Sequence, residues 1–124
     1  MTDLNILLVE DDLIVQRVHQ SMLNKLGCSV DLAMTGKDAL KMVKTKTPYR
    51  IIFVDIGLPD ITGFEVIKKI TALNIKKERD SVIFALTGYA GEPEKQACLA
   101  AGAYAVLAKP IVCSKMRELL DQFK

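Results

Sequence analysis

Four apolar runs of strand length each end in a group that can do chemistry. Asn5 to Val9 (NILLV) runs into Glu10 and Asp11, and Arg50 to Val54 (RIIFV) runs into Asp55. Ser81 to Leu86 ends at Thr87, and Tyr104 to Ala108 ends at Lys109. Glu10, Asp11 and Asp55 crowded at one point would repel one another and hold their protons more tightly unless a cation intervened. Hard carboxylate oxygens with positions left for water suit Mg²⁺, which seldom takes an all-protein cage. Asp11 and Asp55 are the natural direct ligands. Glu10 is a direct or water-mediated one, and a backbone carbonyl near Gly57 could complete the set. Such an ion favours a phosphoryl group, since it bridges carboxylate and phosphate oxygens. Lys109 would neutralise one phosphoryl oxygen and Thr87 would donate a hydrogen bond to another. Asp55 is then the nucleophile, as carboxylates are in aspartyl-phosphate chemistry. A turn role for Asp55 would account for an Asp before Gly57-Leu58-Pro59, but not for the acids of the first run together with Lys109.

These groups need a scaffold that gathers the ends of separate runs. Between the runs lie amphipathic stretches at helical spacing. From Asp12 to Leu26 the apolar positions are Leu13, Ile14, Val18, Met22, Leu23 and Leu26, and Gly27 supplies a stop. Ser29 to Ala33 alternates like a strand exposed on one side. Thr35 caps a second helix that ends before Pro48. Thr62 and Glu65, three apart, make a capping box for a third. Pro93 suits the first turn of a fourth, closed by Gly102. Ser114 to Phe123 reads as the fifth. Apolar strands separated by helices imply a parallel sheet covered on both faces. The expected architecture is α/β, a three-layer (βα)5 flavodoxin-like doubly wound sheet of strand order 2-1-3-4-5. Its ligand site lies beyond the carboxyl ends of the strands where the order reverses, between strands 1 and 3. That order brings Glu10, Asp11, Asp55, Thr87 and Lys109 together.

The 124 residues suffice for one domain, taken as 1–124, and not for two. Half are apolar, which excludes a disordered chain. The apolar runs are too short to span a membrane, and the N-terminus has no secretory signal pattern. A net charge of +2, spread along the chain, offers no nucleic-acid stripe. Ile75 to Asp80 (IKKERD) reads as a solvated helix end and loop. Cys28, Cys98 and Cys113 form neither a disulfide framework nor a zinc site and are expected to be small buried hydrophobes, in a reduced cytoplasmic setting. His19 is expected to be a surface residue of the first helix. Other phosphate chemistries are poorly served. The loop after the first strand is acidic rather than rich in Ser, Thr and Gly, no G-x-G-x-x-G is present, and Asp55 lacks a second Asp two residues on.

In this order and spacing the chain resembles the receiver domain of two-component response regulators over essentially its whole length. The resemblance rests on Val9 to Asp12 (VEDD), Asp55 with Leu58-Pro59 and Gly63, Ala85 to Gly88 (ALTG) and Ala101 to Pro110 (AGAYAVLAKP). It implies that Asp55 takes a phosphoryl group from a phosphohistidine, with Mg²⁺ held by Glu10, Asp11, Asp55 and the Gly57 carbonyl. Thr87 and Lys109 then read the phosphoryl oxygens, and the Lys109–Pro110 bond is cis. The family often carries a switching aromatic three positions before the lysine. Here that position is Val106, and Tyr104, two earlier on the same strand face, could partly substitute for it. Gly57 offers no side chain to position water, and Tyr89 could shield the site, which together imply a fairly long-lived phosphoryl group.

The implied function is a phosphoacceptor switch whose fourth helix, fifth strand and fifth helix form the responsive face and a possible homodimer contact. Its partner would be a histidine kinase phosphotransfer domain or a histidine phosphotransfer protein, docked on Leu13, Ile14, Arg17 and the loop after Pro110. The domain would catalyse only its own phosphorylation and dephosphorylation, and would touch neither nucleic acid nor membrane. Gln96 to Ile111 also looks like receivers of hybrid sensor histidine kinases, so a module of a longer chain and a stand-alone regulator both fit. The alternative is a phosphorylation-independent pseudo-receiver that binds protein. Such modules usually lack one of the acids or the lysine, and this sequence keeps them all.

Overall fold

All five residues of the Ile51–Asp55 run are buried, as a strand covered on both faces requires. The structure is a computed structural model that describes residues 4–45, 48–88 and 91–123. Its strands are β1 (Asn5–Val9), β2 (Ser29–Ala33), β3 (Ile51–Asp55), β4 (Val82–Thr87) and β5 (Ala105–Ala108). They alternate with the helices α1 (Leu13–Lys25), α2 (Gly36–Thr45), α3 (Gly63–Lys76), α4 (Glu92–Ala101) and α5 (Cys113–Asp121). The strands form one parallel sheet in the order β2-β1-β3-β4-β5, as the alternation of runs and helices implies. Its register sets Val9 beside Val54 and Thr87 beside Ala108, so the chemistry-bearing ends finish at one edge.

Alternate residues of the strands feed two cores. Leu7, Val9, Ile52, Val54, Ile83 and Ala85 face one that α2, α3 and α4 close with Val43, Ile67, Ile70 and Cys98. Ile6, Leu8, Ile51, Phe53, Phe84 and Leu86 face the other, which Leu23 of α1 and Met116, Leu119 and Leu120 of α5 close. Each large side chain buried in this way stabilises the fold by about 2 kcal/mol.

The helix ends follow local chemistry. Asp12 caps α1, its Oδ1 accepting the N–H groups of Ile14 at 2.9 Å and Val15 at 3.1 Å. Thr35 accepts from Asp38 N–H, and Thr62 from Glu65 N–H. Gly27, just past α1, has φ +86°, a conformation that favours glycine. α5 stops earlier than its pattern because Gln122 and Phe123 turn back to carbonyls three residues before them, tightening the last turn. The Ile75–Asp80 segment closes α3, as expected, but is not merely solvated. Arg79 donates to the Val43 carbonyl at 2.8 Å and Lys77 to that of Lys44 at 3.3 Å, which fastens α3 to the end of α2.

Three expectations need correction. His19 is fully buried, because it shares the inner face of α1 with Gln16 and Leu23. Cys113 is exposed, since it opens α5 at the surface, whereas Cys28 and Cys98 are buried as expected. Tyr104 lies one residue outside β5 and does not share the packing of Val106. Val106 packs with the α2–α4 core, while the Tyr104 ring meets Phe84 and Phe123 edge-on at 5.6 and 5.5 Å. The aromatic is thus tied to the α5 layer. Tyr89 lies outside the described residues.

Candidate functional site

The carboxyl ends of β1, β3, β4 and β5 carry Glu10, Asp11, Asp55, Thr87 and Lys109 at one edge of the sheet. Glu10 follows β1 and is fully buried. Its Oε2 accepts the Asp12 N–H at 3.2 Å, and its own carbonyl accepts from the buried Gln16 amide at 3.0 Å. Asp55 closes β3 with 3 % of its surface exposed, and its Oδ1 accepts the Gly57 N–H at 3.0 Å. Thr87 closes β4 and is buried. Lys109 follows β5, with its N–H donating to the Thr87 carbonyl at 2.8 Å, and the Lys109–Pro110 peptide is cis. The Lys109 ammonium reaches across the sheet to Glu10 Oε1 and Asp55 Oδ1, each at 3.2 Å.

Glycine permits this closeness at one point. A Cβ on Gly63, the first residue of α3, would run into the Ile56 Cα and the Asp55 carbonyl oxygen. The backbone after Asp55 therefore packs directly on the start of α3, and no side chain fits between them.

The electrostatics follow from burial. Removal from water, a hydrogen bond shared with Asp55 and the Asp55 charge push the Glu10 carboxyl up from 4.5 to about 7. Burial also opposes ionisation of Asp55, but the Gly57 N–H, the bond to Glu10 and the Lys109 ammonium together hold it below its ordinary value. Burial would lower Lys109, and the charges of Asp55 and Glu10 overcome that and raise it.

One oxygen each from Glu10, Asp11 and Asp55 lies within 4.8 Å of the others. With all three carboxylates ionised, the one ammonium would leave two negative charges uncompensated, the charge of a divalent cation. An all-oxygen donor set with one member less buried suits Mg²⁺, which keeps some of its waters.

Besides Gln16, two more residues that shape this region were not among the candidates. His19 Nε2 accepts the N–H of Ile111, two residues past Lys109, at 2.9 Å. Asp60, in the loop after β3, accepts the N–H groups of Gly36 and Lys37 at 2.9 Å each and so caps α2 from 24 positions away. His19 shares a helix face with Leu23 at a spacing of four, a signal of burial the sequence does carry. Nothing near Asp60 announces its partner.

Comparisons with known proteins agree on the architecture. Residues 6–121 match the response regulator receiver domain family. The aerobic respiration control sensor protein ArcB of Escherichia coli is 39% identical over 120 residues, which cover 97% of this chain but only 15% of that protein. Two-component response regulator 24 of Arabidopsis thaliana is 31% identical over 119 residues, 96% of this chain and 83% of that one. The Ssk1 receiver domain of Saccharomyces cerevisiae, solved with the histidine phosphotransfer protein Ypd1, superposes with a TM-score of 0.86 at 29% identity. That match covers 98% of this chain and 88% of that one. The chain belongs to the response regulator receiver domain family of two-component signalling.

Proposed function

We propose that residues 1–124 form a single receiver unit in which Asp55 accepts a phosphoryl group from a phosphohistidine. The observation that carries this reading is the Lys109 ammonium set 3.2 Å from Asp55 Oδ1, with the Asp11 and Glu10 carboxylates alongside. A carboxylate held ionised in a buried site is a competent nucleophile. An Asp55 oxygen bonds to phosphorus as the phosphorus–nitrogen bond of the donor breaks, and the bonding pair returns to the donor imidazole. Lys109 balances the charge on one phosphoryl oxygen, and Thr87 donates its hydroxyl to another. Glu10, Asp11, Asp55 and the Gly57 carbonyl would hold Mg²⁺. When bound, that ion offsets the repulsion between the carboxylates and the incoming phosphoryl oxygens.

Phosphorylation then biases the face formed by α4, β5 and α5, because Thr87 and Lys109 flank β5 and would be drawn inward. β5 is an edge strand of the sheet. Val106, Ala108, Pro110, Val112 and Lys115 line an open groove beside it, which supports this face as a partner or homodimer contact. The donor is a histidine phosphotransfer protein or the equivalent domain of a histidine kinase. Leu13, Ile14 and Arg17 of α1 and Val112 in the loop after Pro110 are each exposed, which supports this end of the molecule as its docking surface. No described helix is long and apolar enough to cross a membrane, and the proposed setting is the cytoplasm.

The test is intact-mass spectrometry after incubation with acetyl phosphate and Mg²⁺. One added phosphoryl group is expected on the wild type, and none on Asp55→Ala or in excess chelator. A wild type that neither gains mass nor binds Mg²⁺ overturns the reading in favour of a phosphorylation-independent binding module.

A further inference from the structure

The segment that carries Lys109 is fastened on both sides. Before it, the Lys109 N–H donates to the Thr87 carbonyl of β4 at 2.8 Å. After it, the Ile111 N–H donates to His19 Nε2 in α1 at 2.9 Å. From between these two fixings the ammonium reaches Glu10 and Asp55.

His19 is fully buried. An imidazole nitrogen that accepts from an N–H carries no proton, so the neutral ring has its hydrogen on Nδ1. Burial, followed by the Lys109 charge, lowers its pKa and favours that neutral form. Nδ1 has no hydrogen-bond partner among the described residues. A buried polar atom left unpaired is a stability cost that a leucine at the same place would not carry. Packing therefore does not account for the ring, whereas the Ile111 bond does. Gln16 lies three residues earlier on the same helix face and holds the Glu10 carbonyl at 3.0 Å. One face of α1 thus grips both the strand end that bears Glu10 and the loop that bears Lys109.

We propose that His19 is a positioning residue for the phosphoryl chemistry: by holding Ile111 it fixes the backbone from which Lys109 reaches Asp55. This deepens, and rests on, the reading of Asp55 as acceptor and Lys109 as its counter-charge.

The test compares rates of phosphorylation by acetyl phosphate with Mg²⁺ for wild type, His19→Leu and His19→Gln. His19→Leu is also placed in a Lys109→Ala background. Leucine fills the space without an acceptor, whereas the glutamine carbonyl reaches the place of Nε2. His19→Leu is expected to be about tenfold slower, the scale of losing an outer-shell partner. His19→Gln should stay close to wild type. In the Lys109→Ala background His19→Leu should add nothing, because the group it positions is gone. A purely structural histidine would lower the melting temperature in both backgrounds without changing the rate of the folded protein. A wild-type rate in His19→Leu, or an equal slowing in both backgrounds, overturns the proposal. If His19→Leu does not fold, His19→Met carries the same comparison, since its flexible thioether fills the space and accepts only weakly.

Amide hydrogen exchange at Lys109 and Ile111 is read on the same proteins. If the wild type takes no phosphoryl group, the phosphoacceptor reading fails and exchange alone decides the anchoring. Faster exchange at both residues in the His19 variant supports it. A change confined to Ile111, or none, overturns it.

Discussion

Lys109 Nζ and Asp55 Oδ1 stand 3.2 Å apart although β4 separates their strands in the sheet. The lysine crosses a whole strand to a buried carboxylate, where little water competes with the pairing. Replacing Lys109 with alanine should therefore slow phosphorylation by acetyl phosphate about 100-fold, the scale of losing one preorganised charge partner. Mg²⁺ should bind no more weakly, because a competing cation has been removed from the same carboxylates. Timed mass spectra and isothermal titration measure the two effects. A Lys109→Ala protein that reacts at the wild-type rate would show that the ion pair is only structural.

Glu10 gives a pH dependence with a definite sign. Its carboxyl is raised from 4.5 to about 7 in the folded metal-free protein, by burial first and by its bond with Asp55 second. A group raised on folding contributes stability that is fully present below its unfolded value and lost as pH rises through its folded value. Without divalent metal, the wild type should therefore lose stability between about pH 4.5 and about pH 7 relative to Glu10→Gln, whose amide does not titrate. Mg²⁺ must displace that proton, so apparent affinity should rise about tenfold per pH unit up to the same value and then level. Titration across this range checks it, and an affinity that does not change with pH would remove Glu10 from the metal site.

The strand tips were legible because their signals are local. Apolar runs, terminal acids and punctuating glycines lie within a few residues of one another, and the parallel order follows from the alternation with helices. The sequence alone thus places Glu10, Asp55, Thr87 and Lys109 together. His19, Asp60 and Tyr104 depend on partners 92, 24 and about 20 positions away. For Tyr104, strand alternation suggested the face of Val106, but the residue lies just outside β5, where period two no longer governs direction. Composition suggests a buried Cys113, but a cysteine in the exposed first turn of α5 has nothing to bury it.

Asp60 is an exposed residue with a long-range structural task. Its two oxygens accept the Gly36 and Lys37 N–H groups, and those bonds hold its carboxyl at about 2. A depressed carboxyl contributes stability above its unfolded value that is lost as pH falls through its folded value. Asp60→Ala should lower the melting temperature by a few degrees at neutral pH, as removal of a helix cap does. The difference from wild type should close as pH falls toward about 2. Paired thermal melts at neutral and acid pH measure this, and a gap of equal size at both would point to lost packing instead.

The outer face of α1 separates donor recognition from chemistry. Ile14 is 77% exposed and Leu13 52%, and Val112, in the loop after Pro110, is 62% exposed. Gln16 and His19, on the opposite face, are buried against the site. A change at Ile14 therefore meets a partner without disturbing the residues that hold Glu10 and Ile111. Ile14→Arg should slow transfer from a histidine phosphotransfer protein by about tenfold, since an apolar anchor at the centre of a contact becomes a charge that must be desolvated. Phosphorylation by acetyl phosphate, which needs no docking surface, should keep its wild-type rate. Reversing Arg17 to Glu, one helical turn along, should slow the protein donor in the same selective way. Equal slowing with both donors would place the defect in the site, and no slowing with either would move the docking surface off α1.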